Sequence, residues 1–217
     1  MNKLMKSITL IGKKVLSTVL LSLCVTTGFG QHIFNVDPVQ AAEIAAFMKQ
    51  PSAVEGKCNA EVLGIVTTAS EFSWDDINTW KNADGKVWAD GATADYAPTV
   101  FGFGFKKNAP YNGGASWICL ITNKDDDKWN PAIPGVADLK GNFILSNCNA
   151  TTVKIANSQI NTIKICMNNP TEDCYISTKR NSNLEQLDIS GSTGKLRQIE
   201  AYKNKFRDET SLVADNL

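Results

Sequence analysis

Short units with an apolar residue on either side of one variable position recur through the last third of the chain, and they constrain its fold most. They are Phe143-x-Leu145, Val153-x-Ile155, Ile163-x-Ile165, Cys174-x-Ile176, Leu187-x-Ile189 and Ile199-x-Ala201, starting 10, 10, 11, 13 and 12 residues apart. Apolar residues two apart lie on one face of a strand. Alternate units give periods of 20 and 24 in one set, and 21 and 25 in the other. A period near 20–29 residues is that of a leucine-rich repeat, in which no single unit buries its own apolar face and coils must stack to make a core. Asn204 and Phe206 follow the last unit where such a repeat places its turning Asn and closing Leu, and Asn168 stands likewise after Ile163-x-Ile165. The Asn side chain serves buried backbone groups that would be costly to leave unpaired. An ordinary meander of short strands is the competing fold.

The N-terminus has a different character. Lys3, Lys6, Lys13 and Lys14 precede an apolar run, Val15 to Val25, and small residues follow up to Gly30-Gln31. This is the layout of a secretory signal peptide over 1–30, and the run is too short for a membrane span. The mature chain is expected to start near Gln31 and to be secreted or at the cell surface. Cys24 offers a second route, a lipid anchor, although Leu23 rather than a small residue precedes it. Export leaves five cysteines, Cys58, Cys119, Cys148, Cys166 and Cys174, an odd number that cannot all pair within one chain.

Between leader and repeats, residues 38–50 read as a helix with Val39, Ala42, Ala46 and Phe47 on its apolar face and Pro38 in its first turn. Pro51 ends it, and a short helix over Ala60 to Leu63 is expected next. Residues 64–134 hold all five Trp (74, 80, 88, 117, 129), with turn signals at Asp84-Gly85, Asp90-Gly91 and Asn112-Gly113-Gly114 between short strands at Thr99 to Lys106 and Ser116 to Thr122. Phe101, Phe103 and Phe105 alternate and are expected to face a core; a sugar-binding aromatic platform is the alternative.

The chemistry of most enzymes is missing. The lone histidine, His32, lies beside the expected cleavage site, so neither a Ser nor a Cys nucleophile has its base. No phosphate-binding or dinucleotide motif is present, because Gly102-x-Gly104 sits inside the aromatic strand. Lys+Arg and Asp+Glu are both 22, and a net charge of zero argues against a nucleic-acid partner. The acidic runs Asp75-Asp76 and Asp125-Asp126-Asp127 keep a hydrolase open, since a glycosidase needs two carboxyl groups roughly 5–10 Å apart. Asn123, Asp125 and Asp127 offer hard oxygens at alternate positions for calcium, without the Gly and closing Glu of an EF-hand loop. No cofactor is expected.

Four stretches resemble a known family, the secreted leucine-rich-repeat proteins of Gram-negative anaerobes that include the BspA-like surface antigens. Leu187-Asp188-Ile189-Ser190-Gly191-Ser192-Thr193 is similar to the family's LDVSGCT element, and Ile144 to Ala150 to a second copy 44 residues earlier. Ile199 to Phe206 resembles its L-x-C-x-x-N-x-L element, and Phe47 to Ala60 the segment that opens many members after the leader. The chain departs from the family in having barely three repeats, and those at 163–180 are irregular. The resemblance implies binding of a partner at a cell surface and transfers no ligand to any residue.

The fold expected is therefore α+β: a short right-handed leucine-rich-repeat-like solenoid over 136–217, behind a helical and Trp-rich cap over 31–135. Its function is expected to be non-enzymatic binding of a protein or surface glycan through strand residues at the variable positions. One set offers Lys154, Tyr175 and Glu200, with Tyr202 nearby, and the other Lys164 and Asp188. A carbohydrate-binding module in the Trp-rich segment and a secreted hydrolase are the alternatives.

Overall fold

The repeats wind into a parallel β-solenoid of about three turns. The computed structural model describes residues 37–85, 97–98, 101–105, 115–122 and 132–215. The expected leader, Cys24, His32, Trp88, Trp129 and the calcium candidates Asn123, Asp125 and Asp127 lie outside the described residues, as does the side chain of Trp117. The elements in chain order are α1 (Pro38–Lys49), α2 (Asn59–Val62), β1 (Ala97–Pro98), β2 (Phe103–Phe105), β3 (Ala115–Leu120), β4 (Lys140–Cys148), β5 (Thr152–Ala156), β6 (Gln159–Met167), β7 (Asp173–Lys179), β8 (Gln186–Asp188), β9 (Lys195–Tyr202) and β10 (Leu212–Val213).

Successive strands alternate between two sheets, ordered β1-β2-β3-β5-β7-β9 and β10-β8-β6-β4. From β3 onward, all neighbours within a sheet are parallel. Each coil thus contributes a strand to both sheets. In the β4 sheet, Phe143, Ile163 and Leu187 stack in one column, offset by 20 and 24 residues. In the other sheet, Val153, Ile176 and Ile199 stack, offset by 23 both times. The sequence periods of 21 and 25 came from aligning on Cys174. Cys174 also points inward, but β5 and β7 pair in unbroken register with Ile176 opposite Val153, and a one-residue bulge at Arg197 of β9 then brings Ile199 opposite Ile176.

The apolar-x-apolar residues behave as strand alternation requires. Phe143, Leu145, Val153, Ile155, Ile163, Ile165, Cys174, Ile176, Leu187 and Ile189 are all buried and join one core with Ile44, Phe47 and Met48 of α1. The last pair, Ile199 and Ala201, is only half-buried. Cys58, Cys119, Cys148, Cys166 and Cys174 are all free thiols. Burial holds the Cys148 thiol up at about 12, so it behaves as a small apolar residue.

One corner repeats with every coil. Asn157, Arg180 and Lys203 each leave a strand of the β5 sheet in the left-handed backbone region, with φ of 61°, 53° and 57°. The residue after each, Ser158, Asn181 or Asn204, turns inward. Asn181 Nδ2 donates to the Ile155 carbonyl (3.0 Å), and Asn204 Nδ2 to that of Thr178 (2.9 Å). Asn181 Oδ1 accepts from the amide and hydroxyl of Ser158, and Asn204 Oδ1 from the Asn181 amide. The turning role expected of Asn204 is thus present and belongs to a ladder. Asn168 is different: it lies at the more exposed corner of the other sheet, bonding Asn147 Oδ1 and the hydroxyl of Thr193.

The outer edge of β4 is covered by the segment that precedes it. In α1, Asp37 caps the amide of Gln40 and Pro38 opens the first turn. The face turned inward carries Gln40, Ile44, Phe47 and Met48 rather than the expected Val39, Ala42 and Ala46, which are exposed. Both stripes have helical spacing, but only the first brings bulky side chains to bear on Phe143, whose ring meets Phe47 edge-on at 5.0 Å. Polar groups then substitute for a missing strand along β4. Asn59 bonds both the amide and carbonyl of Lys140, and Gln50 does the same for Asn142. The Glu43 carboxylate accepts from the Ser146 amide, and Gln40 donates to the Asn147 carbonyl. Gly141 lies directly beneath Gln50 with φ of 94°, so a Cβ there would strike the clamping amide. In the other sheet, antiparallel β2 and β1 flank β3.

Phe101 and Phe103 are buried as expected of core-facing residues, and Phe103 approaches Phe143. Trp74 and Trp80 pack with Phe72, and Trp80 is fully buried. Asp76 caps the turn at Ile77–Thr79, whereas Asp75 is exposed.

Candidate functional site

The variable positions of the strands form the outer faces of the two sheets. On the β5 sheet they fall into three rows across the coils: Thr152–Tyr175–Gln198, Lys154–Ser177–Glu200, and Ala156–Lys179–Tyr202. Lys154, Tyr175, Glu200 and Tyr202 therefore share one face, as expected, with Tyr175 one row away from Lys154 and Glu200. Lys164 and Asp188 stand opposite each other on the β4 sheet, apart from that group.

The two faces differ in chemistry. Tyr175 and Tyr202 are each 42% exposed, at opposite ends of the β5 face. Between them Glu200 gathers three donors: Lys179 Nζ at 2.6 Å, Gln198 Nε2 at 2.7 Å and the Ser177 hydroxyl at 3.2 Å. Lys179 also sits 5.1 Å from the Tyr202 ring centroid, a cation–π contact. Sequence reading missed Lys179, Ser177 and Gln198. Their positions follow from the corrected register, which sets Tyr175 beside Gln198 rather than one pleat away. Arg197 pairs with Asp173 at 2.9 Å at the start of the same strands.

On the β4 face, Lys164 Nζ bonds Asp188 Oδ2 at 2.7 Å, and Asp188 Oδ1 accepts from the amide and hydroxyl of Ser190. Asp188 was expected to be an exposed variable residue, but its side chain is only 13% accessible. It braces the turn after β8 and the neighbouring coil, because a short carboxylate beside a turn reaches backbone donors before water does. Ile144, in the same row, is exposed.

The ion pairs shift their carboxyl groups down. The hydrogen bond from Lys179 holds Glu200 below its ordinary 4.5 against an opposing push from desolvation. For Asp188, desolvation is the largest single influence and would raise it, but the bonds from Lys164 and Ser190 together outweigh it and leave the group below 3.8. A carboxylate whose folded pKa lies below its unfolded value adds stability above the unfolded pKa, and that stability is lost as pH falls through the folded pKa. The melting temperature should therefore drop as pH falls below about 4.5, and Glu200→Gln and Asp188→Asn should each flatten that drop. A melt series from pH 7 to pH 2 checks this. Equal slopes in the variants and the parent would remove these two pairs from the account.

Among the described residues, no group of three or more His, Cys, Asp or Glu side chains could hold a metal ion, and no helix is long and apolar enough to cross a membrane. No protein-family model, curated protein or solved structure matches this chain.

Proposed function

We propose that this chain is an exported binding protein, not an enzyme, that recognises a protein partner through the outer face of the β5 sheet. The observation that carries the reading is the pair of exposed tyrosines flanking the Lys179–Glu200 set. Tyrosine presents a large amphipathic surface with few rotors to freeze, which is why such residues dominate binding hot spots. The surrounding polar groups are already held by one another, so little side-chain entropy is lost on docking. Kinship with the BspA-like surface antigens belongs to this proposal and rests on the four sequence stretches. A leucine-rich repeat sets one strand and a helical or 3₁₀ segment in each coil, whereas each coil here has strands on both faces. A right-handed winding follows from the general preference of parallel crossovers. We also assign the Trp-containing segment a capping role at the first coil and the leader a role in export.

The test is a pull-down of host and bacterial surface components with the purified protein, repeated with Tyr175→Ala and Tyr202→Ala. Loss of a single alanine-truncated anchor at a hot spot costs about 2–4 kcal/mol, roughly 30-fold or more in affinity. A partner retained equally by both variants would move the site elsewhere. Glycan binding lost on Trp117→Ala or Trp129→Ala would support a carbohydrate-binding module instead. Turnover of a glycan or peptide dependent on Asp75 or Asp125 would make the protein a hydrolase.

A further inference from the structure

The two ends of the solenoid are finished differently. At the N-terminal end, β4 is clamped by Asn59, Gln50 and Glu43, and β3 is flanked by β2. At the other end, the β4 sheet stops in the two-residue β10, too short to template a further strand. The β5 sheet stops in β9, eight residues long, with no strand beyond it among the described residues. Beneath β9 the core is left incomplete: Leu196, Ile199, Ala201 and Phe206 pack on it but are only partly buried. A long open edge above a half-covered core is a site for strand addition.

We infer that β9 pairs antiparallel with β9 of a second copy of this chain, giving a closed twofold dimer joined end to end. The far edges decide the symmetry. A head-to-tail stack would require β9 to reach β4 or β1, the outermost strand of its own sheet; β4 is clamped, and β1 is two residues long and ends in Pro98, too short to template an eight-residue strand, so the open-ended fibre that such stacking produces is disfavoured. Among the described residues, the edge that matches β9 in length is the same strand in another copy. Charge then selects the register. Opposed residues in an antiparallel pair face the same side, and a pairing centred on Glu200 would set two carboxylates against each other. Centring on Ile199 instead places Gln198 opposite Glu200 twice, an amide donor against an acceptor, and stacks Ile199 on its twin over the unfinished core. The Tyr175 end of the outer face stays open, so the dimer would present two copies of the proposed binding face.

Sedimentation velocity of the purified protein over micromolar to millimolar concentration should show a monomer–dimer equilibrium without larger species. A monomer at every concentration, or a ladder of polymers, would overturn the inference. Register is read separately by mixing Gln198→Cys protein with Glu200→Cys protein under mild oxidation. The expected product is the mixed disulfide, several-fold above either homodisulfide and above the parent's own thiol background. No excess of the mixed product, with both variants shown to be folded by circular dichroism, would rule out this pairing.

Discussion

Replacing Asn181 by Leu should destabilise the protein by about 3–6 kcal/mol, while Asn168→Ala should cost less than about 1 kcal/mol. Leucine keeps the branched skeleton of asparagine but carries larger methyl groups, so the loss of hydrogen bonds is joined by some overpacking. Asn181 is fully buried, and its amide serves the Ile155 carbonyl, both donors of Ser158 and the next rung at Asn204. Each buried group left unpaired costs about 1–3 kcal/mol, and water cannot enter to compensate. Small domains have about 5–15 kcal/mol in total, so this variant stands near the limit of folding. Asn168 sits at a partly exposed corner, where water can replace the bonds to Asn147 and Thr193. Chemical denaturation of the two variants beside the parent measures the difference. Similar losses for both would mean that the ladder of Ser158, Asn181 and Asn204 is no more than a set of surface turns.

Residues 136–217 expressed alone should fail to fold cooperatively. The fragment would lose α1 and α2 from the β4 edge, and with them the side chains of Ile44, Phe47 and Met48 that complete the core around Phe143. Burial of side chains this size is worth about 1.5–3 kcal/mol each, so the three together approach the stability of a small domain. Loss of β3 would also uncover Val153 and Ile155. The clamped groups of Lys140 and Asn142 would return to water, leaving an edge open to association. Far-UV circular dichroism through a thermal melt should show no sharp transition, or an aggregating species. A monomeric fragment with a cooperative melt would show that the coils stand unaided, and the covering role of the segments before residue 136 would fail.

The amino-acid sequence by itself determined the stacked-coil plan and which strand residues of the coils point to the core. Alternation of apolar and variable residues dictates the face of every strand side chain, and units too short to bury themselves must stack; both are local properties of the chain. Pro38, Pro51 and Asp37 likewise set the limits of α1 through backbone geometry and capping alone. The partition of the candidate residues between two faces was also legible, since strand parity settles it. Register was not. Cys174 and Ile176 both point inward; the pairing of β7 with β5 decides that Ile176 fills the column of Val153, and a bulge in β9 that only its neighbour can impose brings Ile199 into it. The helix face was undecided for a related reason: two apolar stripes satisfy the same spacing, and the shape of the uncovered coil chooses between them. Asp188 looked like a free variable residue, yet Lys164, 24 residues earlier, is its neighbour once the coils stack. The clamping of β4 by Asn59 and Gln50 spans 81 and 92 residues, and no local signal marks a side-chain amide as a substitute for a strand. Long-range pairing depends on which chain segments the core brings together, and only the folded structure holds that information.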